Sequence, residues 1–305
     1  MAYLILIVGM FFLIKGADFF VDGSSSVAKI MKVPSVIIGL TIVALGTSLP
    51  EASVSITASI AGNNELALSN VVGSNIFNTL VVVGCSALIT PFIMDSDIVK
   101  RDLLINILSS VVLFVLVLDG VLGRVDGVLL LVGLAGFLAI LIRSAMKNRI
   151  TEEVGEVLPL GKSVLFIVGG IITIILGGKL VVDSATIIAQ HLGMSDTLIG
   201  LTVVSIGTSL PELVTSVVAA RKGESGLSLG NAIGSNIMNI LFILGSSGSL
   251  TPIAVISENI TDIIVLIGIA IFVFALSKIS DKMTRAKGIA FKGIYGVYLA
   301  YIIMR

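Results

Sequence analysis

An all-α integral membrane fold is expected, with ten transmembrane helices in two inverted-topology five-helix repeats and broken helices near mid-membrane. Three observations predict it. Hydrophobic residues make up 56% of the 305-residue chain and charged residues 12%, at a mean hydropathy of +1.15, whereas a soluble domain carries about 25% charge. The segment Gly39 to Glu51, GLTIVALGTSLPE, returns at Gly200 to Glu212 as GLTVVSIGTSLPE, 161 positions later. Each half offers five apolar stretches, and an odd number forces the second copy to enter the membrane from the opposite side.

The first half (1–146) places its spans near Leu4 to Phe20, Ser35 to Ala61, Leu66 to Ile89, Leu103 to Leu118 and Val128 to Ile142. The second (163–305) places them near Ser163 to Val182, Thr197 to Ala220, Leu227 to Leu250, Ile260 to Leu276 and Gly288 to Ile303. Most have the roughly 17 to 25 residues that cross about 30 Å of hydrocarbon. Met1 to Met10 has no basic region ahead of it and is read as part of the first helix, not as a cleaved signal peptide. The 161-residue shift also superposes Gly16 on Gly177, Asp22 on Asp183, Gly73 on Gly234, Gly84 on Gly245 and Pro91 on Pro252 without a gap. Solenoid repeats run at roughly 20 to 50 residues, so this period means duplicated half-proteins. Residues 147–162, with mixed charge, Pro159 and Gly161, form a solvated cytoplasmic linker too short to be a regulatory domain.

Loop charges set the orientation, because Lys and Arg accumulate on the cytoplasmic side. One side gathers Lys29, Lys32, Lys100, Arg101, Arg143, Lys147, Arg149, Lys162, Arg221, Lys222, Lys278, Lys282, Arg285 and Lys287. The other holds Arg124, Lys179 and Arg305, so both termini are expected outside a cell membrane that the chain crosses many times. Net charge is zero and says nothing about a partner, while the absence of aromatic-basic clusters argues against nucleic acid. Cys85, the only cysteine, excludes an intramolecular disulfide.

Chemistry concentrates in the repeated GTSLPE. Pro50 lacks an amide hydrogen and clashes with the carbonyl a turn earlier, so a helix running through Leu45 should break there. In lipid, such a break is tolerated where the freed backbone lines a cavity or packs in protein. Gly46 permits the turn, Pro50 suits the start of the following half-helix, and Thr47 or Ser48 is a candidate cap. Glu51 then lies mid-span, where an ionised side chain costs several kcal/mol or more unless it faces a partner or a watery path. Thr208, Ser209 and Glu212 repeat the arrangement. The next spans add GSNIFN (Gly73 to Asn78) and GSNIMN (Gly234 to Asn239), where Ser74 and Asn78, like Ser235 and Asn239, share one helix face. Gly73 and Gly234 would let that face approach the broken helix closely. All these ligands are oxygens, which suit hard cations such as Ca²⁺ and Na⁺, while soft sulfur and imidazole ligands are missing.

Blander readings carry weight for single residues. A lone Ser, Thr or Asn in a membrane helix is more often interhelical glue than a ligand. The other carboxylates, among them Asp18, Asp22, Asp95, Asp119, Asp183 and Asp262, are expected at span ends or in loops, with Lys15 paired to Asp18 and His191 in a loop. A buried glutamate repeated at the equivalent place resists that treatment. No nucleophile sits beside a base, so no enzyme is expected and no cofactor is called for.

With these motifs the chain resembles the prokaryotic sodium/calcium exchanger family of the cation/calcium exchanger superfamily, over essentially its whole length. The paired GTSLPE and GNxxGSNIxN signatures carry the resemblance; Ser69-Asn70 stands where the second copy has Gly230-Asn231. It implies an alternating-access antiporter exchanging Na⁺ for Ca²⁺, with the lipid bilayer as its surroundings and a monomer as the working unit. It also implies that Glu51, Glu212, Thr47 and Thr208 are calcium ligands. Sodium sites would draw on Ser48, Ser74, Ser209, Ser235 and the carbonyls of Ala44 and Ser205, with Asn78 and Asn239 in the remaining central positions. Many family members have Asp at one of those two, and here both are Asn, which bears on stoichiometry and on any role for K⁺. The rival readings are a Ca²⁺/H⁺ or K⁺-dependent Na⁺/Ca²⁺ antiporter and a cation channel.

Overall fold

A computed structural model of the chain describes residues 1–148, 157–194, 203 and 205–304. Twelve helices are built from them: α1 (Ala2–Met31), α2 (Ser35–Thr47), α3 (Leu49–Ile60), α4 (Leu66–Ile89), α5 (Leu103–Leu116), α6 (Arg124–Lys147), α7 (Leu160–His191), α8 (Ser205–Thr208), α9 (Leu210–Arg221), α10 (Ser225–Leu250), α11 (Ser257–Ile279) and α12 (Arg285–Met304). Among the described residues six helices, α1, α4, α6, α7, α10 and α11, are long and apolar enough to cross a membrane. The bent pair α2 and α3 makes a seventh. The protein is a multi-pass membrane protein. Residues 149–156 of the expected linker, Arg305, and most of the first part of the expected Thr197 to Ala220 span lie outside the described residues.

Burial identifies the centre. Of the apolar windows, 94% is buried in α10 and 72% in α4, against 22–39% in α1, α6, α7 and α11. The two helices that carry GSNIxN are therefore wrapped by the others. Both pass through a π-helical stretch immediately after the motif, at Asn78–Val82 and Asn239–Leu244. Such stretches are rare and often mark functional positions. On α10, an added Cβ at Gly234 would lie 2.7 Å from Leu40 Cα and 2.8 Å from Ala44 Cβ, so this glycine brings α10 onto α2 as its sequence predicts.

α1 and α7 form a separate antiparallel pair. A Cβ at Gly9 would meet the Gly177 carbonyl at 3.0 Å, and one at Gly16 the Gly170 carbonyl at 3.0 Å. The 161-residue shift carries Gly9 to Gly170 and Gly16 to Gly177, so the two contacts exchange when the halves are exchanged. Both helices outrun their expected spans, Leu4 to Phe20 and Ser163 to Val182. Asp22 and the three serines after it read as a polar break, yet Ser24, Ser25 and Ser26 are buried against neighbouring helices. The helix keeps its own backbone bonds and continues.

The all-α expectation needs one correction. Two antiparallel strand pairs of two residues per strand occur: β1 (Phe92–Ile93) with β4 (Lys282–Met283), and β2 (Val121–Leu122) with β3 (Ile253–Ala254). Strands this short show no readable alternation. Each pair joins one half to the other, and the 161-residue shift maps Phe92 to Ile253 and Leu122 to Met283. The pairings Phe92 with Met283 and Leu122 with Ile253 therefore exchange as well.

Asp18 and Asp22 lie within α1 and Asp183 within α7, half-buried or exposed, so they are helix residues facing outward and not loop residues. Asp262 sits deeper than expected, buried within α11. Asp102, fully buried just before α5, is held by Arg101, whose Nε and Nη2 donate to its two oxygens at 2.7 and 2.9 Å. His191 ends α7 instead of lying in a loop, with Nδ1 2.7 Å from the Ile187 carbonyl. Lys15 pairs with Asp18 at 3.5 Å, as its spacing suggests.

Candidate cation site between two broken helices

The helix carrying the first GTSLPE breaks at Ser48, which has φ −82° and ψ 6°, and α2 and α3 meet at a 50° bend. Pro50 occupies the first turn of α3, where its missing amide hydrogen costs nothing. Ser209 repeats the break between α8 and α9 with φ −91° and ψ 6°, and Pro211 repeats the proline. Neither serine caps its helix through its side chain. Of the two candidate caps, Thr47 ends α2 and Ser48 stands at the N-cap without bonding the α3 amides, its side chain being turned across the molecule.

Ser48 Oγ donates to Glu212 Oε1 at 2.9 Å, and Ser209 Oγ donates to Glu51 Oε1 at 3.0 Å. Each break thus holds the carboxylate of the other half. Both glutamates are fully buried, in the first turns of α3 and α9. Helix N-termini favour negative charge, which offsets part of the burial cost. The second oxygens, Glu51 Oε2 and Glu212 Oε2, are buried with no hydrogen-bond partner.

The flanking hydroxyls follow the same exchange. Thr47 Oγ1 donates to Asn231 Oδ1 at 2.9 Å and Thr208 Oγ1 to Asn70 Oδ1 at 3.3 Å. Ser209 and Ser74 hydroxyls lie 3.0 Å apart, while Ser235 Oγ reaches Glu212 Oε1 at 3.4 Å and the Ala44 carbonyl at 3.5 Å. Thr47, Ser48, Ser74, Asn78, Thr208, Ser209, Ser235 and Asn239 are all buried. The Ala44 carbonyl accepts the Ser48 amide at 3.0 Å, so it is already engaged within its helix. Of Ser205, the structure describes the backbone at the start of α8, while its side chain lies outside the described residues.

Sequence reasoning passed over a supporting layer. Asn70 Nδ2 donates to Ser55 Oγ at 2.9 Å and to the Glu51 carbonyl at 3.4 Å. Asn231 Nδ2 makes the equivalent bonds to Ser216 Oγ at 2.9 Å and the Glu212 carbonyl at 3.2 Å. These amides fix Thr47 and Thr208 on one side and the backbone of the glutamate turns on the other. The 161-residue recurrence of Asn70, Ser55 and Asn75 in the second copy was the available signal.

The arrangement concentrates two carboxylates and a shell of hydroxyl and amide oxygens inside a membrane protein. Among the described residues no group of three or more His, Cys, Asp or Glu side chains gathers as a metal cluster. The chemistry is that of a hard, oxygen-rich site with few fixed charges. Unpartnered buried oxygens on both glutamates and on Asn78 and Asn239 fit a cation as the missing partner.

Comparisons with known proteins identify the family. A family model described as sodium/calcium exchanger protein matches residues 1–143 and 162–304. The inner membrane protein YrbG of Escherichia coli is 36% identical over 99% of this chain and 97% of its own length. The sodium/calcium exchanger MaX1 of Methanosarcina acetivorans is 34% identical over 98% of each chain. A solved structure of the sodium-calcium exchanger NCX_Mj, from crystals soaked with Na⁺ and Ca²⁺, superposes with a TM-score of 0.85 at 34% identity, covering 98% of this chain and 97% of the other. With its full-length family match and these relatives, the chain belongs to the sodium/calcium exchanger protein family.

Proposed function

We propose that this protein is a secondary active antiporter that exchanges Na⁺ for Ca²⁺ by alternating access, with both cations bound in turn at Glu51 and Glu212. The observation that carries the reading is the pair of reciprocal bonds, Ser48 to Glu212 and Ser209 to Glu51, which join two buried carboxylates to two symmetry-related helix breaks. Thr47, Thr208, Ser74, Ser235, Asn78, Asn239 and the carbonyls of Ala44 and Ser205 complete the ligand set. Two carboxylates carry the charge that balances one Ca²⁺. Sodium ions compete for the same oxygens, so occupancy by one cation excludes the other and couples their movements. Coupling further requires that each ion favour the occluded state by differential affinity.

The architecture behind this function is ten spans in two inverted halves, 1–146 and 163–305, with both termini outside and a monomer as the working unit. The exchanging contacts of α1 with α7 and of the two strand pairs support it. The antiparallel α1–α7 pair is the moving element, sliding past the core that holds the site. On the basic, cytoplasmic side Lys222 bonds Asp22 at 2.8 Å and lies 3.4 Å from Asp18, which ties α1 to the α9–α10 turn. Those bonds must rearrange as the pair slides.

Uptake of ⁴⁵Ca²⁺ into proteoliposomes loaded with Na⁺, K⁺ or acid identifies the driving ion. Uptake only from the Na⁺-loaded vesicles is the expected result. Uptake driven by acid would make the protein a Ca²⁺/H⁺ antiporter, and uptake that ignores the internal cation would make it a channel.

A further inference from the structure

Outside the ligand set, two asparagines of the GSNIxN motifs meet across the halves. Asn75 and Asn236 are related by the 161-residue shift and both are buried. Asn75 Nδ2 donates to the Asn236 carbonyl at 3.0 Å, and Asn239 Nδ2 donates to Asn75 Oδ1 at 3.0 Å. These bonds fix the direction of every amide in the chain. A backbone carbonyl has no hydrogen to give, so the atom of Asn75 that faces it must be the NH₂. The other end of Asn75 is then an oxygen, which only the NH₂ of Asn239 can satisfy. Asn239 is left with its oxygen turned away from Asn75, buried and without a protein partner.

The exchanged copy of this chain does not form. Thr79 Oγ1 donates to the Asn75 carbonyl at 2.8 Å, and Asn236 Nδ2 donates to Thr79 Oγ1 at 2.8 Å. The second copy has Ile240 where the first has Thr79, so nothing equivalent intercepts Asn75. Asn236 therefore does not reach the Asn75 carbonyl, and both polar atoms of Asn78 stay unpartnered. One threonine breaks the symmetry of the pair: the Asn239 amide is oriented by a hydrogen bond and that of Asn78 is not.

We infer that Asn75 is a positioning residue that locks the Asn239 amide with its oxygen toward the exchange site, making Asn239 a neutral, acceptor-only cation ligand. Asn239 lies four residues beyond Ser235 on α10, and Ser235 touches Glu212; the inferred lock turns the unpartnered Asn239 oxygen toward that group of acceptors. Asn78 keeps both options, offering its oxygen to a cation or its NH₂ to a glutamate oxygen. The inference rests on the cation-exchange reading given above.

A double-mutant cycle separates positioning from mere packing. Equilibrium ⁴⁵Ca²⁺ binding to the purified full-length chain, and half-saturating Ca²⁺ in Na⁺-loaded proteoliposomes, would be measured for the native protein, Asn75→Ala, Asn239→Ala and the double variant. Losing the lock is expected to weaken Ca²⁺ binding about tenfold in the native background, the size of one charge-assisted contact, and by less than about twofold when Asn239 is already Ala. An equal loss in both backgrounds would show that Asn75 acts on the fold and not through Asn239, and no loss in the native background would overturn the lock outright. If Asn75→Ala does not purify as a single species, Asn75→Ser carries the same cycle, since its short hydroxyl cannot span both partners. The native row stands apart from the cycle: Ca²⁺ binding without sodium-driven flux would refute the exchange reading while leaving the cycle readable.

Discussion

Ser48 and Ser209 each serve the carboxylate of the opposite half, which makes their removal a test of the reciprocal geometry. A hydrogen bond to a charged group contributes about 1.5–3 kcal/mol, so Ser48→Ala and Ser209→Ala are each expected to weaken Ca²⁺ binding about tenfold or more. Equilibrium ⁴⁵Ca²⁺ binding checks it; a loss confined to one of the two would mean that only one carboxylate works as a ligand. The pair Glu51 and Glu212 was legible in the sequence because a mid-span charge is expensive and recurred. Asn70, Ser55 and Asn75 were not, because a single polar residue in a membrane helix has a cheaper explanation as glue. They are glue, and what they hold is the site. Ser48 misled for a related reason: it does occupy the N-cap position of α3, but its hydroxyl is turned across the interface to donate to the buried Glu212 carboxylate and does not accept from the first-turn amides.

At the scale of elements, small residues decide which helices are fused. Gly16 faces the α7 backbone, where an added Cβ would meet the Ile174 nitrogen at 2.8 Å, whereas Gly136 on α6 has open space around it. Overpacking of this kind costs about 1–3 kcal/mol, so Gly16→Ala should lower the thermal midpoint in detergent while Gly136→Ala leaves it unchanged. Equal midpoints for the two would show that α1 and α7 do not pack as a tight unit. The helix break at Pro50 and the close approach at Gly234 were readable because each rests on one residue with a strict steric signature. Helix lengths were not: Ser24 to Ser26 look like a loop in sequence, and only tertiary contacts show that they are buried inside α1. The π stretches and the two-residue strands leave no periodic trace at all.

For the whole molecule, alternating access in the proposed antiporter requires that the α1–α7 pair move against the core. With Cys85 replaced by alanine, cysteines at positions 22 and 222 bridged by a bifunctional thiol reagent with a cleavable internal disulfide would join α1 to the α9–α10 turn, the reagent spanning the gap that the long Lys222 side chain crosses to reach Asp22. A cross-link there is expected to stop ⁴⁵Ca²⁺ exchange and reduction to restore it. Exchange at the native rate in the cross-linked protein would rule out this motion. The duplicated plan was visible in the gapless 161-residue register, and the structure adds how the halves interlock, through contacts that exchange with one another at Gly9 and Gly16 and at the strand pairs. The sequence register alone could not supply that, because it relates equivalent positions without saying which of them touch.

In the proposed antiporter, Na⁺ and Ca²⁺ share one site at the paired glutamates. Equilibrium ⁴⁵Ca²⁺ binding to the purified protein, titrated with Na⁺, tests it most directly when the native chain is set beside Glu51→Gln, Glu212→Gln and the double variant. The native protein should bind one Ca²⁺ that Na⁺ displaces, each single variant should bind far more weakly, and the double variant should not bind. Undiminished, sodium-sensitive binding by the double variant would contradict a shared site at Glu51 and Glu212, because the cations would then be held somewhere else.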